Sequence, residues 1–255
     1  MIRIDVVFVS GDESFLFTEK DEKNLFILNP ILSKYITFTR IPNNGESLTK
    51  VYNRVLEDKT RKNRSDFVAF VHSDAKMDFV HVFNGLDRCR WKYDIIGLCG
   101  TQVAITSQTP LNWFTSSIPC PDKRVGYVRH GDDDGRESYF SRNRQELEDA
   151  PVGMIDGVFI AFGRKALESG IRFDERFSFD QYDSDISFQA LLKYGLRLGV
   201  MVEKSLVHKS VGKSILTRDF LIHELDFRKK WNLEIPKGTP IEKLTLKDGG
   251  KDLLS

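Results

Sequence analysis

Short unbroken apolar runs and longer stretches of helical spacing alternate along this chain. The runs IRIDVVFV (Ile2 to Val9), YITFTR (Tyr35 to Arg40), FVAFV (Phe67 to Val71), YDIIGLC (Tyr93 to Cys99), MIDGVFIAF (Met154 to Phe162), LGVMV (Leu198 to Val202) and SLVH (Ser205 to His208) read as strands. A continuous apolar run is what a strand covered on both faces shows. Between them, Leu48, Val51, Tyr52, Val55 and Leu56 recur at helical spacing with Ser47 as N-cap. A second amphipathic segment follows Asp74 to about Arg90, a short helix covers Gly163 to Ser169, and Phe188, Leu191 and Leu192 mark a helix ending near Gly195. Thr217 to Trp231 closes the pattern as a helix, and the tail from Pro236 is polar and loose. Ser14 to Asn29 reads as irregular or a short helix, and Arg61 to Arg64 as a basic connection. This alternation predicts an α/β fold: a Rossmann-like, mixed but mostly parallel central sheet flanked by helices.

Length and charge narrow the class. At 255 residues and 40% apolar content the chain can bury the core of one large domain. Lys and Arg number 38 against 37 Asp and Glu, so no net field draws it to nucleic acid or anionic lipid. The cysteines Cys89, Cys99 and Cys120 are odd in number and form no C-x-x-C pair, which argues against a disulfide framework or zinc knuckle. The run after Asp5 is too short for a signal-peptide core and no stretch approaches a membrane span, so a cytoplasmic protein is expected.

Candidate chemistry gathers where strands end. The run from Phe67 leads straight into His72, Ser73 and Asp74, and ligands of open α/β sheets collect beyond such carboxyl ends, although Ser73 and Asp74 serve equally well as turn caps. Ser10-Gly-Asp, after the first strand, leaves backbone N–H groups free near a ligand or forms a plain turn. Asn53, mid-helix, faces water or points at something. Asp156-Gly157 interrupts an apolar run, as at a bulge or where something approaches the backbone. Asp183 and Asp185 open a helix just after Asp180, more carboxylates than one cap needs. His208 ends a strand and is followed by Lys209, Ser210 and Lys213, which suit phosphate. The stretch 101–145, with Trp113, Phe114, three prolines and Gly131-Asp-Asp-Asp-Gly135, reads as a long loop, its aspartates as a solvated turn.

Taken in order, Tyr52-Asn53, F-V-H-x-D (Phe70 to Asp74), D-G-x-F-I-A (Asp156 to Ala161), R-F-D-E (Arg172 to Glu175), Y-D-x-D (Tyr182 to Asp185) and V-H-x-S (Val207 to Ser210) resemble the family 2-like glycosyltransferases of the GT-A fold, over most of residues 2–214. The resemblance implies a single GT-A-like domain over 1–255, with 101–145 an acceptor-side loop region and 214–255 a C-terminal helix and tail. It implies a nucleotide-diphospho-sugar donor, Mn²⁺ or Mg²⁺, and inverting transfer to a glycan, lipid-linked or protein-linked sugar acceptor in polysaccharide or glycan synthesis. Asp74 matches the last aspartate of the D-x-D motif and His208 the late metal-binding histidine. His72 stands where the first aspartate is usual, a departure that bears on nucleotide recognition. Asp183 matches the general-base carboxylate, with Tyr182 in place of its usual glutamate partner. Asp156 falls where the family lines the donor-sugar or acceptor pocket, and Lys209, Ser210 and Lys213 are candidates to hold the diphosphate; Ser10, Asn53, His72 and Ser73 complete the expected donor-binding set.

Two other readings remain. A sugar-1-phosphate nucleotidyltransferase would want a glycine-rich, lysine-bearing loop after the first strand, and Ser10-Gly-Asp-Glu13 has no lysine. A catalytically silent glycan-binding or scaffold relative is compatible with the departures at His72 and Tyr182.

Overall fold

The structure, a computed structural model, describes residues 1–102, 124–131, 137–139, 148–209 and 217–234. The chain divides into two compact units, Met1–Ala104 with Asp122–Val211 and Ile105–Pro121 with Gly212–Ser255. In chain order the first unit contains β1 (Ile4–Val9), α1 (Glu19–Leu28), β2 (Ile36–Ile41), α2 (Leu48–Glu57), α3 (Lys59–Arg64), β3 (Phe67–His72), β4 (Ala75–Lys76), α4 (Phe79–Cys89), β5 (Ile95–Gly97) and β6 (Cys99–Thr101). It continues with β7 (Arg124–His130), β8 (Glu137–Tyr139), β9 (Ala150–Pro151), β10 (Met154–Ile155), β11 (Phe159–Gly163), α5 (Arg164–Ser169), α6 (Tyr182–Phe188), β12 (Leu198–Val200) and β13 (Val207–His208). In the second unit the described element is α7 (Arg218–Lys230), capped by Thr217 and carrying an internal Glu224–Arg228 pair at 2.6 Å. No helix among the described residues is long and apolar enough to cross a membrane.

The expected mixed, mostly parallel sheet is present. Its order is β2-β1-β3-β11-β5-β12-β9. Strands β2, β1, β3, β5 and β12 run one way; β11 and β9 run against them. All six residues of β1 are buried, the apolar ones and Asp5 alike. Helices cover both faces. On one, Phe79 of α4 packs edge-on against Phe8 and Phe38, with Phe17 between them. On the other, Tyr52 of α2 stacks on Phe70 at 4.1 Å, and Phe162 and Phe173 extend the aromatic layer. Asp5, a charge inside β1, is held by Arg61 at 2.9 Å and Arg64 at 3.6 Å; burial pushes its pKa up and the two arginines pull against it.

A second sheet, β10-β6-β7-β13-β4 with β8 beside β7, explains three departures from the expected elements. The Tyr93–Cys99 run is cut at Leu98 because the chain leaves the large sheet after β5 and joins the small one as β6. The Met154–Phe162 run is cut in the same way, with β10 in the small sheet and β11 in the large. Part of 101–145 is strand rather than loop: β7 is broken in pattern by Gly126, whose φ of 109° no side chain tolerates easily, and it forms through pairing with β6 and β13. The triple aspartate lies outside the described residues. The basic connection at Arg61 is helical, as α3, because Asp58 caps it, accepting from the backbone N–H of Thr60 and Arg61.

Candidate active site

Sheet pairing brings distant residues together at the carboxyl edge of the parallel strands. His72 is the last residue of β3, level with Val9 of β1. The chain turns at Ser73-Asp74 into β4, which pairs antiparallel with β13 so that Ala75 lies opposite His208. Lys209 N–H then donates to the Asp74 carbonyl at 2.9 Å. The result is that His72, Asp74 and His208 offer ligand atoms all within 4.8 Å of one another. His208 Nε2 lies 3.3 Å from Asp74 Oδ1, and the His72 and His208 rings are 5.5 Å apart.

Tyr182 fixes the chemistry of His72. The Tyr182 hydroxyl donates to the Gly157 carbonyl at 3.0 Å and lies 2.7 Å from His72 Nε2. A hydroxyl has one proton, so with that proton on the carbonyl the imidazole must donate from Nε2, which leaves Nδ1 as a bare lone pair. Burial and the neighbouring His208 push the His72 pKa down to about 4, Asp74 opposing, so the ring is neutral near pH 7. Gly157 is required here: a Cβ would overlap the Tyr182 hydroxyl. What approaches the backbone at Asp156-Gly157 is therefore a side chain of the fold itself. At Asp74 burial raises the pKa, but the hydrogen bond and charge of His208 outweigh it and the carboxyl ends below its ordinary value.

Two more carboxylates face each other nearby. Asp183 Oδ2 accepts from Gly157 N–H at 3.1 Å and Oδ1 from Ser184 N–H at 2.7 Å; Asp156 Oδ1 accepts from Val158 N–H at 2.8 Å. Burial, followed by the Asp156 carboxylate, pushes Asp183 up to about 7, and burial raises Asp156 as well. Two buried carboxylates that feel each other hold a proton near neutrality. Asp185, expected as a possible partner in this chemistry, is fully buried and accepts from Gln189 Nε2 at 2.8 Å, a bond inside the helix.

The other expected donor-binding residues are distributed unevenly. Ser10 is buried at the end of β1 and its hydroxyl donates to Asp12 Oδ1 at 2.9 Å. Ser73 sits in the turn beside Asp74, its carbonyl accepting from Leu16 N–H at 2.7 Å. Lys209 follows His208 on the exposed side. Asn53 stands apart from the cluster: Oδ1 accepts from Phe173 N–H at 2.9 Å and Nδ2 donates to Phe173 O at 3.0 Å and Glu175 at 3.1 Å. A buried carboxamide with its groups spent on the backbone is a clamp between α2 and the Arg172-Phe-Asp-Glu segment. Ser210 and Lys213 lie outside the described residues.

Around the cluster the structure adds Tyr182, His130 and Phe179 as neighbours, and it adds His72 as a candidate metal ligand. His130 pairs in register with His208, with rings 5.8 Å apart. Phe179 is 52% exposed and stacks on His72 at 6.0 Å, an open aromatic face beside the cluster. His72 and Asp74 lie two apart in sequence, and the turn at Ser73-Asp74 brings both into one cluster. The set of two imidazoles and one carboxylate suits Mn²⁺, Fe²⁺ or Zn²⁺ better than Mg²⁺, which prefers an all-oxygen shell.

No protein-family model matches the chain, and no curated protein matches it. Among solved structures it is similar to A197 from STIV, at 13% identity and a TM-score of 0.39, over 85% of this chain and 99% of that one. It is also similar to GalNAc-T7, solved with UDP, GalNAc and Mn²⁺, at 10% identity and a TM-score of 0.48, over 90% of this chain and 48% of that one. The chain thus spans about half the length of the GalNAc-T7 chain.

Proposed function

We propose that this chain is a metal-dependent glycosyltransferase of GT-A type, moving a sugar from a nucleotide-diphospho-sugar to an acceptor hydroxyl with inversion. The observation that carries the reading is the convergence of a His-Asp-His cluster and the buried carboxylates Asp156 and Asp183 beside one strand edge. The resembling motifs Phe70 to Asp74, Asp156 to Ala161, Tyr182 to Asp185 and Val207 to Ser210 contribute every one of these groups.

His72 through Nδ1, Asp74 and His208 would hold the cation, the two imidazoles favouring Mn²⁺ over Mg²⁺. A cation bound there supplies charge neutralisation for the departing diphosphate. Asp183 is the base: it takes the proton of the acceptor hydroxyl as that oxygen bonds to the anomeric carbon, while the bond from that carbon to the diphosphate oxygen breaks and its electron pair leaves with the diphosphate. Asp156 supports this by keeping the proton affinity of Asp183 near neutrality. Lys209, with Ser210 and Lys213, would meet the diphosphate, and Ser10 and Ser73 would lie on the donor side.

The test is a panel of nucleotide-sugars with Mn²⁺, followed for binding, slow hydrolysis and transfer to simple glycoside acceptors. Release of nucleoside diphosphate with an inverted product linkage is expected. Release of pyrophosphate from a nucleoside triphosphate and a sugar 1-phosphate would point instead to a nucleotidyltransferase, and binding without turnover to a silent relative.

Tyr182 allows a second check that does not depend on turnover. Phenylalanine there removes the acceptor that fixes the His72 tautomer, and loss of such an outer hydrogen bond typically costs ~10–100-fold in metal affinity. Calorimetry with Mn²⁺ on Tyr182→Phe should show a loss in that range with far-UV circular dichroism unchanged. An unaltered dissociation constant would remove Tyr182 from this role.

A further inference from the structure

At the opposite end of the large sheet lies a cleft of about 500 Å³, bounded by the starts of β3, β5 and β12 and the end of β11. Phe67 on its wall and His72 in the cluster are five residues apart along β3, so the two places are separated by roughly 17 Å. On its rim Trp91 is 77% exposed, with the Arg90 guanidinium 4.9 Å from the ring centroid. An indole left this open forgoes much of the stabilisation that burial of a large ring gives.

The cleft's charges decide what could occupy it. Arg197 and Lys165 both pair with Asp94, at 2.9 and 3.4 Å. Arg164 lies 3.7 Å from Asp66, and Arg90 lies 2.7 Å from Asp87. Each of these cations already has a carboxylate, and Glu168 adds another acid to the lining. A phosphate or other anion would have to compete with Asp94 and Asp66 and face Glu168, which disfavours nucleotides and acidic polymers. What remains on offer is N–H donors of half-exposed Arg and Lys side chains, carboxylate acceptors, and an exposed indole ring beside the Arg90 guanidinium. An uncharged saccharide matches all three, because each hydroxyl both donates and accepts while the C–H face of the ring is apolar.

We propose that this cleft is a second, non-catalytic saccharide-binding site, in which one sugar ring lies on Trp91 and its hydroxyls bond to Glu168, Lys165 and Arg197. The site stands apart from the transfer chemistry, so its success or failure is read separately from that of the metal cluster. The full chain is titrated by calorimetry with cellotetraose, maltotetraose and chitotetraose as neutral probes, and with UMP as an anionic one. Binding of at least one tetrasaccharide is expected, weakened about tenfold or more by Trp91→Ala and measurably by Glu168→Ala, while both variants keep metal-dependent nucleotide-sugar turnover. Because Trp91 and Glu168 are exposed, neither substitution threatens the fold. The proposal is overturned if no tetrasaccharide binds at millimolar concentration, if binding is indifferent to Trp91→Ala, or if UMP is the probe whose binding requires Trp91.

Discussion

Asp74→Asn is expected to lower the proposed metal-dependent turnover by about 10³-fold or more while the protein stays folded. The amide keeps the shape of the carboxylate but loses the negative charge that offsets a divalent cation, and it presents only one oxygen. Metal stabilisation of a leaving phosphoryl group amounts to several kcal/mol, and each ~1.4 kcal/mol is a factor of ten. The fold should tolerate the change because the Asp74 side chain is 38% exposed and its structural bond, from Lys209 N–H, goes to the backbone carbonyl. His208 loses a charged neighbour, so Mn²⁺ affinity measured by calorimetry should fall together with turnover. Full activity of the unaltered protein in excess chelator, or an Asp74→Asn protein with undiminished Mn²⁺ affinity, would sink the metal reading.

Asp183→Asn should lower turnover by ~10²–10⁴-fold while donor affinity barely moves, since a positioned base acts in the transition state rather than in donor binding. The unaltered enzyme should gain activity as pH rises through about 7, because the base must be ionised and burial with Asp156 places Asp183 there. The same shift has a stability consequence of definite sign. A carboxyl whose folded pKa is raised binds more protons folded than unfolded, so its stabilising contribution is full below its ordinary value and is lost as pH climbs to about 7. In metal-free protein, Asp183→Asn should therefore raise the melting temperature relative to the parent at pH 8 and much less at pH 5. A helix cap predicts the reverse, a loss of ~1 kcal/mol with normal chemistry. Asp185→Asn is the control, because that carboxylate is turned to Gln189 inside the helix. If Asp185→Asn shows the larger catalytic loss, or Asp183→Asn turns over normally, the assignment of the base fails.

Local pattern was enough for the elements. The run from Phe67 to Val71 made β3 a buried strand and placed His72 at its end, and the spacing from Leu48 to Leu56 with Ser47 made α2. Strand and helix periods are set by neighbours in sequence, so they can be read from the chain alone. The same is true of Asp74, His208 and Asp183 as candidates, since each sits at a strand end or helix start.

What those residues are to one another was decided elsewhere. His72 joins Asp74 and His208 because β4 turns back to pair with β13, and the bare nitrogen of His72 depends on Tyr182, one hundred and ten positions away in sequence. Nothing in Tyr182-Asp183 announces a hydroxyl lodged against Gly157, nor a carboxylate whose pKa is raised by burial beside Asp156. Asn53 shows the converse: a polar residue in mid-helix looks available, and only the approach of Phe173 uses it up. Strand β7, broken in pattern by Gly126, exists because β6 and β13 supply its hydrogen bonds. Proximity across long stretches of chain is created by sheet pairing and core packing, and burial, which sets tautomers and proton affinities, exists only once those contacts have formed.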